Sequence, residues 1–211
     1  DLVLASGTAN MFDPFGLEGS KYAGELVSQG LLDKVIKSPK LGVLKEIVLD
    51  FLAQDPTNKV VIFTGFVKMV DYIANEFPAI TQKFTGQMTA KEKEHAKVTF
   101  QTDPSTRIIV SSDAGGYGVD LPQANLLINY DLPWNAGLAT QRNGRIQRAS
   151  SEWEHVVIQN LLLKGSIEER QYDMLQQKMS VADAIVDGEG IDSKGSLELT
   201  LGSLKQFLQS I

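Results

Sequence analysis

Three arginines and two glutamines fall within GLATQRNGRIQRASS, residues 137–151 of a 211-residue chain whose formal net charge is -6. Gln141, Arg145 and Arg148 recur at intervals of four and three, which on a helix places them on one face with Arg142 pointing away. Two guanidiniums on one face, with no acid at neighbouring helical spacing, repel each other unless a multiply charged anion lies between them. The alternative is pairing with carboxylates distant in sequence, among them Glu152, Glu154, Glu168 and Glu169. Gly144 sharpens the question, because a glycine inside a helix costs roughly 1 kcal/mol against alanine and needs a reason such as close backbone packing.

Two further stretches could hold an anion. SSDAGGYGVDLP brings Gly115, Gly116 and Gly118 together with Ser111, Ser112, Asp113 and Asp120. Glycines let backbone N–H groups approach a phosphate and hydroxyls can donate to the same oxygens, although an ordinary glycine turn reads the same way. Thr64 and Gly65, after KVVIFTGF, offer a hydroxyl and an N–H that suit a strand phosphate or, equally, a helix cap. Lys91, Lys93 and Lys97 alternate with Glu92 and Glu94 as a helix surface and a secondary candidate for backbone contact. Other constellations are weak. Ser151 and His155 lack an oxyanion loop, Glu168 and Glu169 read as a solvated helix face, and His95 and His155 have no ligand-like spacing. No structural metal is expected.

The elements that must position these residues follow from periodicity. SPKLGVLKEIVLDFLAQ carries Leu41, Leu44, Ile47, Val48, Phe51 and Leu52 at helical spacing after a Ser-Pro start. Then KVVIFTGF reads as a strand, VKMVDYIANEF as a helix, ITQKFTG as a strand and TAKEKEHAKVTFQ as a helix. TRIIVSS and ANLLINYDL read as strands and NAGLATQRNGRIQR as a helix, followed by strand HVVIQNLLLK and helix SIEERQYDMLQQKM. Short apolar strands alternating with amphipathic helices imply an α/β domain with a mostly parallel sheet covered on both faces. Ligands of such sheets bind beyond the carboxyl ends of the strands, where all three polar stretches fall. Pro133 ends the strand before DLPWN, Asn135 caps the following helix, and Trp134 reads as a packing anchor. Residues 1–37 read as an irregular lead-in, 38–180 as the domain, and 181–211 as a Gly/Ser-rich linker with the short helix LKQFLQSI.

Composition narrows the class. The acidic balance excludes a wholly basic nucleic-acid coat, so phosphate contacts must be local. The absence of cysteine excludes disulfides and thiolate metal sites. No apolar run approaches a membrane span and the start lacks a signal-peptide pattern, so a soluble intracellular domain, cytoplasmic or nuclear, is expected. A start at Asp1 suits a segment of a longer chain.

Taken in order, VVIFTGF, FTGQMTAKEKEHAKVTF, IIVSSDAGGYGVDLPQANLLINYDLPWN and QRNGRIQR resemble the second RecA-like domain of superfamily-two helicases. The resemblance is nearest to the SWI/SNF-type DNA translocases and their RapA-like relatives, which SPKLGVLKEIV and KGSIEERQYDMLQQK favour over DEAD-box RNA helicases. It implies that Arg145 and Arg148 are arginine fingers, supported by Gln141, reaching the γ-phosphate of ATP. It implies that Gly118 and Asp120 serve the nucleotide side. It further implies that Thr64, Gly65, Gln87 and Ser112 follow the backbone of DNA, which in this group is double-stranded. ATP with Mg2+ would be held mainly by a first RecA-like domain, since no G-x-x-x-x-G-K-[ST] phosphate loop and no Asp-Glu-x-His motif occurs here. The lobe alone would then be inactive as an ATPase. Where the SWI/SNF group continues with Ile-Gly-Gln, this chain has Ala149, Ser150 and Ser151. A stand-alone interaction module and a lobe of a strand-separating or RNA helicase are the other readings.

Overall fold

The structure is a computed structural model that describes residues 38–116, 118–147, 151 and 153–186, with side chains to residue 179. The expected lead-in and the expected terminal helix lie outside the described residues, as does Arg148.

Five parallel strands form one sheet in the order β2-β3-β1-β4-β5: β1 Val60–Thr64, β2 Thr81–Phe84, β3 Ile108–Ser112, β4 Leu126–Asn129 and β5 Val157–Asn160. The three central strands are apolar because both faces are covered. Val60, Ile62, Ile108, Val110, Leu126 and Ile128 enter one core, and Val61, Phe63, Ile109 and Leu127 enter the other. Alternation along each strand thus feeds two cores from one sheet.

Helices α1 (Pro39–Gln54) and α2 (Val67–Glu76) bury Leu44, Val48, Met69 and Ile73 on the first face. Helix α3 (Ala90–Thr102) covers the second with Ala96 and Phe100. Helix α4 spans Ala136–Asn143 and α5 spans Ile167–Val186. Helix starts are set by local chemistry. Ser38 Oγ accepts from Leu41 N–H at 3.1 Å ahead of α1, and Thr89 and Glu92 form a capping box for α3. Asn135 caps α4 as its sequence position predicts, accepting from Gly137 and Leu138.

The helix expected over residues 135–148 ends at Asn143, and this corrects the shared face assigned to Gln141, Arg145 and Arg148. Gly144 closes the helix by donating to Thr140 O at 2.9 Å, and Arg145 N–H bonds Arg142 O at 3.0 Å. Two tertiary demands stop continuation. Leu121 N–H takes the Arg145 carbonyl at 2.9 Å, and Ile146 is wholly buried in the second core. Gly144 is therefore a terminus and not a mid-helix anomaly.

Candidate functional site

The strand ends of the sheet set the site. Thr64 pairs with Ser112, and Phe63 pairs with both Ser111 and Asn129, so β1, β3 and β4 end at one level. After β1 the chain runs to β2 and β3 on one side and then crosses to β4 and β5 on the other. The reversal opens a crevice beside β1, the general place for a ligand in such a sheet. A small cavity there is lined by Phe63, Asp113, Gly116, Gln141, Arg142 and Arg145, together with Leu138.

Arg145 points its guanidinium at Asp120, Nη1 to Oδ1 3.6 Å, with the arginine side chain 11% exposed and the aspartate 50%. Among the described residues its counter-charge is thus an acid of the glycine loop and not Glu154, Glu168 or Glu169, while Glu152 lies outside them. Gln141 is exposed on the last turn of α4 beside it. Gly118 has a positive φ of 75°, a conformation that glycine adopts without strain. The expected nucleotide-side residues Gly118, Asp120, Gln141 and Arg145 are therefore parts of one loop-and-turn pair.

Arg142, expected to point away from the site, is buried at its centre with 2% of its side chain exposed. Nε donates to Asp113 Oδ1 at 2.6 Å, and Nη1 donates to Asp131 O at 2.6 Å and Asn129 Oδ1 at 3.3 Å. The guanidinium carbon stands 5.6 Å from the centre of the Phe63 ring. Sequence reasoning missed this arginine because an uninterrupted helix turns it from Arg145. The available signal was that Asp113 and Asp131 each follow a strand that ends beside β1.

The expected nucleic-acid residues separate. Thr64 is buried, its hydroxyl donating to Asp131 Oδ2 at 2.5 Å, and Gly65 N–H donates to Asp131 Oδ1 at 2.7 Å. Both donors are committed to a carboxylate of the chain itself and are not presented to a phosphate in this arrangement. Burial pushes the Asp131 carboxyl up from the ordinary aspartate range, and the bonds from Thr64 and Gly65 with the charges of Arg142 and Lys40 draw it back only in part. Ser112 is 2% exposed and its Oγ accepts from Gly115 N–H at 3.2 Å. Gln87 is exposed in the loop after β2. Trp134 is no packing anchor: it is 60% exposed, and Phe66 on the neighbouring tip is 45% exposed.

Glycines hold the loops together. A Cβ on Gly115 would stand 2.2 Å from Phe84 O, and one on Gly116 would stand 2.7 Å from Phe63 Cε1. The β3 loop therefore lies directly against the ends of β2 and β1. Glu168, expected on a solvated face, pairs with buried Lys40 at 2.6 Å and accepts from Leu163 N–H. Among the described residues, no group of three or more His, Cys, Asp or Glu side chains is placed to hold a metal ion, and no helix is long and apolar enough to cross a membrane.

The helicase conserved C-terminal domain family matches residues 40–150. The chain is 28% identical over 180 residues to the chromatin-remodeling ATPase INO80 of Candida glabrata, covering 82% of this chain and 12% of that protein. It is 29% identical over 157 residues to YwqA of Bacillus subtilis, which bears an ATP-dependent helicase/translocase name, covering 72% of this chain and 17% of that protein. The chain thus spans a small part of these relatives. Among solved structures, the Sulfolobus solfataricus SWI2/SNF2 ATPase core in complex with double-stranded DNA superposes with a TM-score of 0.57 at 26% identity, covering 89% of this chain and 43% of that one. With its parallel RecA-like sheet and a family match over more than half its length, the chain belongs to the helicase conserved C-terminal domains and is related to the SWI2/SNF2 ATPases.

Proposed function

We propose that this chain is the second lobe of an ATP-dependent translocase on double-stranded DNA, and that Arg145 and Arg148 act on ATP bound mainly by a first RecA-like lobe. The observation that carries the reading is the position of Arg145. Its guanidinium lines the cavity at the strand ends and, among the described residues, is held by one loose, half-exposed carboxylate, so a polyphosphate can displace that partner at small cost. When the lobes close, Arg145 and Arg148 neutralise the charge that develops on the transferring phosphoryl group, and Gln141 steadies it. Gly118 and Asp120 border the nucleotide. Mg2+ belongs with the phosphate-loop lobe.

Contact with DNA falls to the tips of the loops. Gln87 is exposed there, and the exposed rings of Phe66 and Trp134 offer flat apolar surface at the same edge. Ser112 joins a strand phosphate only after the loop that begins at Gly115 shifts. Thr64 and Gly65 serve this contact indirectly, by holding Asp131. Backbone contact of this kind carries little sequence preference and weakens with salt.

The test is ATP hydrolysis, with and without duplex DNA, by a protein in which this lobe is joined to a phosphate-loop lobe. DNA-stimulated turnover that collapses in Arg145→Ala and Arg148→Ala supports the reading. Tight ATP binding by the 211-residue chain alone, or turnover indifferent to both substitutions, overturns it.

A further inference from the structure

Arg142 lies where three strand-end loops meet, and the loop after β3 closes on its turn at both ends. At one end Asp113 binds Arg142 Nε at 2.6 Å. At the other, Asp120 pairs with Arg145 at 3.6 Å and Leu121 N–H binds Arg145 O at 2.9 Å. The turn itself is tied by Arg145 N–H to Arg142 O. Across the crevice, Arg142 Nη1 holds the end of β4 through Asn129 and Asp131, and Asp131 in turn holds the tip of β1 through Thr64 and Gly65.

We infer that Arg142 is a positioning residue that couples contact at the strand-end loops to the placement of Arg145. The inference rests on the reading of Arg145 given above. A guanidinium suits the task because its planar fork binds Asp113, Asn129 and the Asp131 carbonyl at once, which a lysine, a point charge, cannot do. The fork also has room to change partners. Among the described residues Nη2 is buried without a hydrogen-bond acceptor and stands 3.8 Å from Asp131 Oδ1. A small shift of the Asp131 tip completes a second bond there, while a shift of the Asp113 loop loosens the first. Two arrangements of one buried cation are the kind of element through which coupling passes between sites. Whatever moves the β1, β3 or β4 tips therefore moves the turn that carries Arg145.

The experiment measures ATP turnover with and without duplex DNA, together with the KM for ATP and the melting temperature. It uses the two-lobe protein and its Arg142→Lys, Asp113→Asn and Arg145→Ala variants. In Arg142→Lys and Asp113→Asn, the ratio of stimulated to basal turnover is expected to fall about tenfold, within the range carried by such networks. The KM for ATP is expected to stay within about threefold, since neither change removes a group that binds ATP. An unchanged ratio, or basal and stimulated rates that fall in proportion, overturns the coupling role. Should Arg142→Lys fail to fold, Asp113→Asn decides, because Asp113 is 27% exposed and the asparagine keeps the acceptor that faces Nε. Persistence of turnover in Arg145→Ala would overturn the reading of Arg145 itself, an outcome distinct from loss of coupling with that reading intact.

Discussion

Arg145 and Asp120 form a loose ion pair at 3.6 Å whose carboxylate is half exposed, whereas Arg142, three residues earlier, is sealed among Asp113, Asn129 and Asp131. The two arginines of one turn thus answer to different physics. Loss of the loose pair should itself contribute less than about 1 kcal/mol, because its carboxylate is half exposed, with the packed stem of Arg145 adding about 1 kcal/mol in the alanine variant. Loss of the buried Arg142 guanidinium leaves the part-buried Asp113 and Asp131 without their cation and should cost more, up to about 3–5 kcal/mol. Urea denaturation of Arg145→Ala and Arg142→Ala in the 211-residue chain should separate them clearly. Equal destabilisation would mean that Arg145 is a structural residue.

Thr64 supplies a second contrast. If its hydroxyl serves Asp131, Thr64→Val removes a buried bond of 2.5 Å and should destabilise the chain by about 1–3 kcal/mol. The affinity for a short DNA duplex at low salt, and its dependence on salt, should then stay unchanged. A several-fold loss of affinity at an unchanged salt slope would instead assign the hydroxyl to a phosphate, because a neutral hydroxyl releases no counterion. Fluorescence anisotropy on the folded variant reads this directly.

Two glycines should respond very differently to alanine. At Gly115 the new methyl would meet backbone atoms of Phe84 and Thr85 at 2.2–2.6 Å, so the β3 loop must leave the end of β2. Several kcal/mol should be lost, as in other severe overpacking. At Gly144 the nearest atom is Thr140 O at 3.3 Å and φ is -64°, which any residue adopts. Gly144→Ala should therefore stay within about 1 kcal/mol of the parent. Melting temperatures of the two variants test the pair.

The sheet was legible because its strands are short apolar runs between amphipathic helices, and that pattern admits few arrangements other than a covered parallel sheet. Ser38, Thr89 and Asn135 announced three helix starts through side chains that cap only in that setting. Arg145 was legible as a cation in need of a partner, yet its partner was not, since Asp120 meets it only when the glycine loop folds back. Arg142 was hidden for a sharper reason. Helical spacing foretells faces only while the helix lasts, and α4 stops at Asn143 because Ile146 and the Arg145 carbonyl answer to other elements. Trp134 misled because apolar character alone does not distinguish an anchor from an exposed ring.

Tyr130 gives the alkaline limit of the fold. Burial pushes its hydroxyl from the usual value of 10.0 up to about 12, and the bond with Ser38 offsets this only in part. The folded chain therefore holds the phenol proton more tightly than the unfolded chain does. The resulting stability is fully present below pH 10 and is lost as the pH rises through about 12. A shift of this size corresponds to roughly 2–3 kcal/mol across that window. Tyr130→Phe keeps the ring beside Lys40 and removes only the hydroxyl, whose distance to Ser38 Oγ is 3.4 Å. Its stability at pH 8 should lie within about 1 kcal/mol of the parent. Between pH 10 and 12 its stability should fall less steeply than the parent's in denaturant titrations. Parallel curves would show that the phenol ionises as readily in the fold as in the open chain.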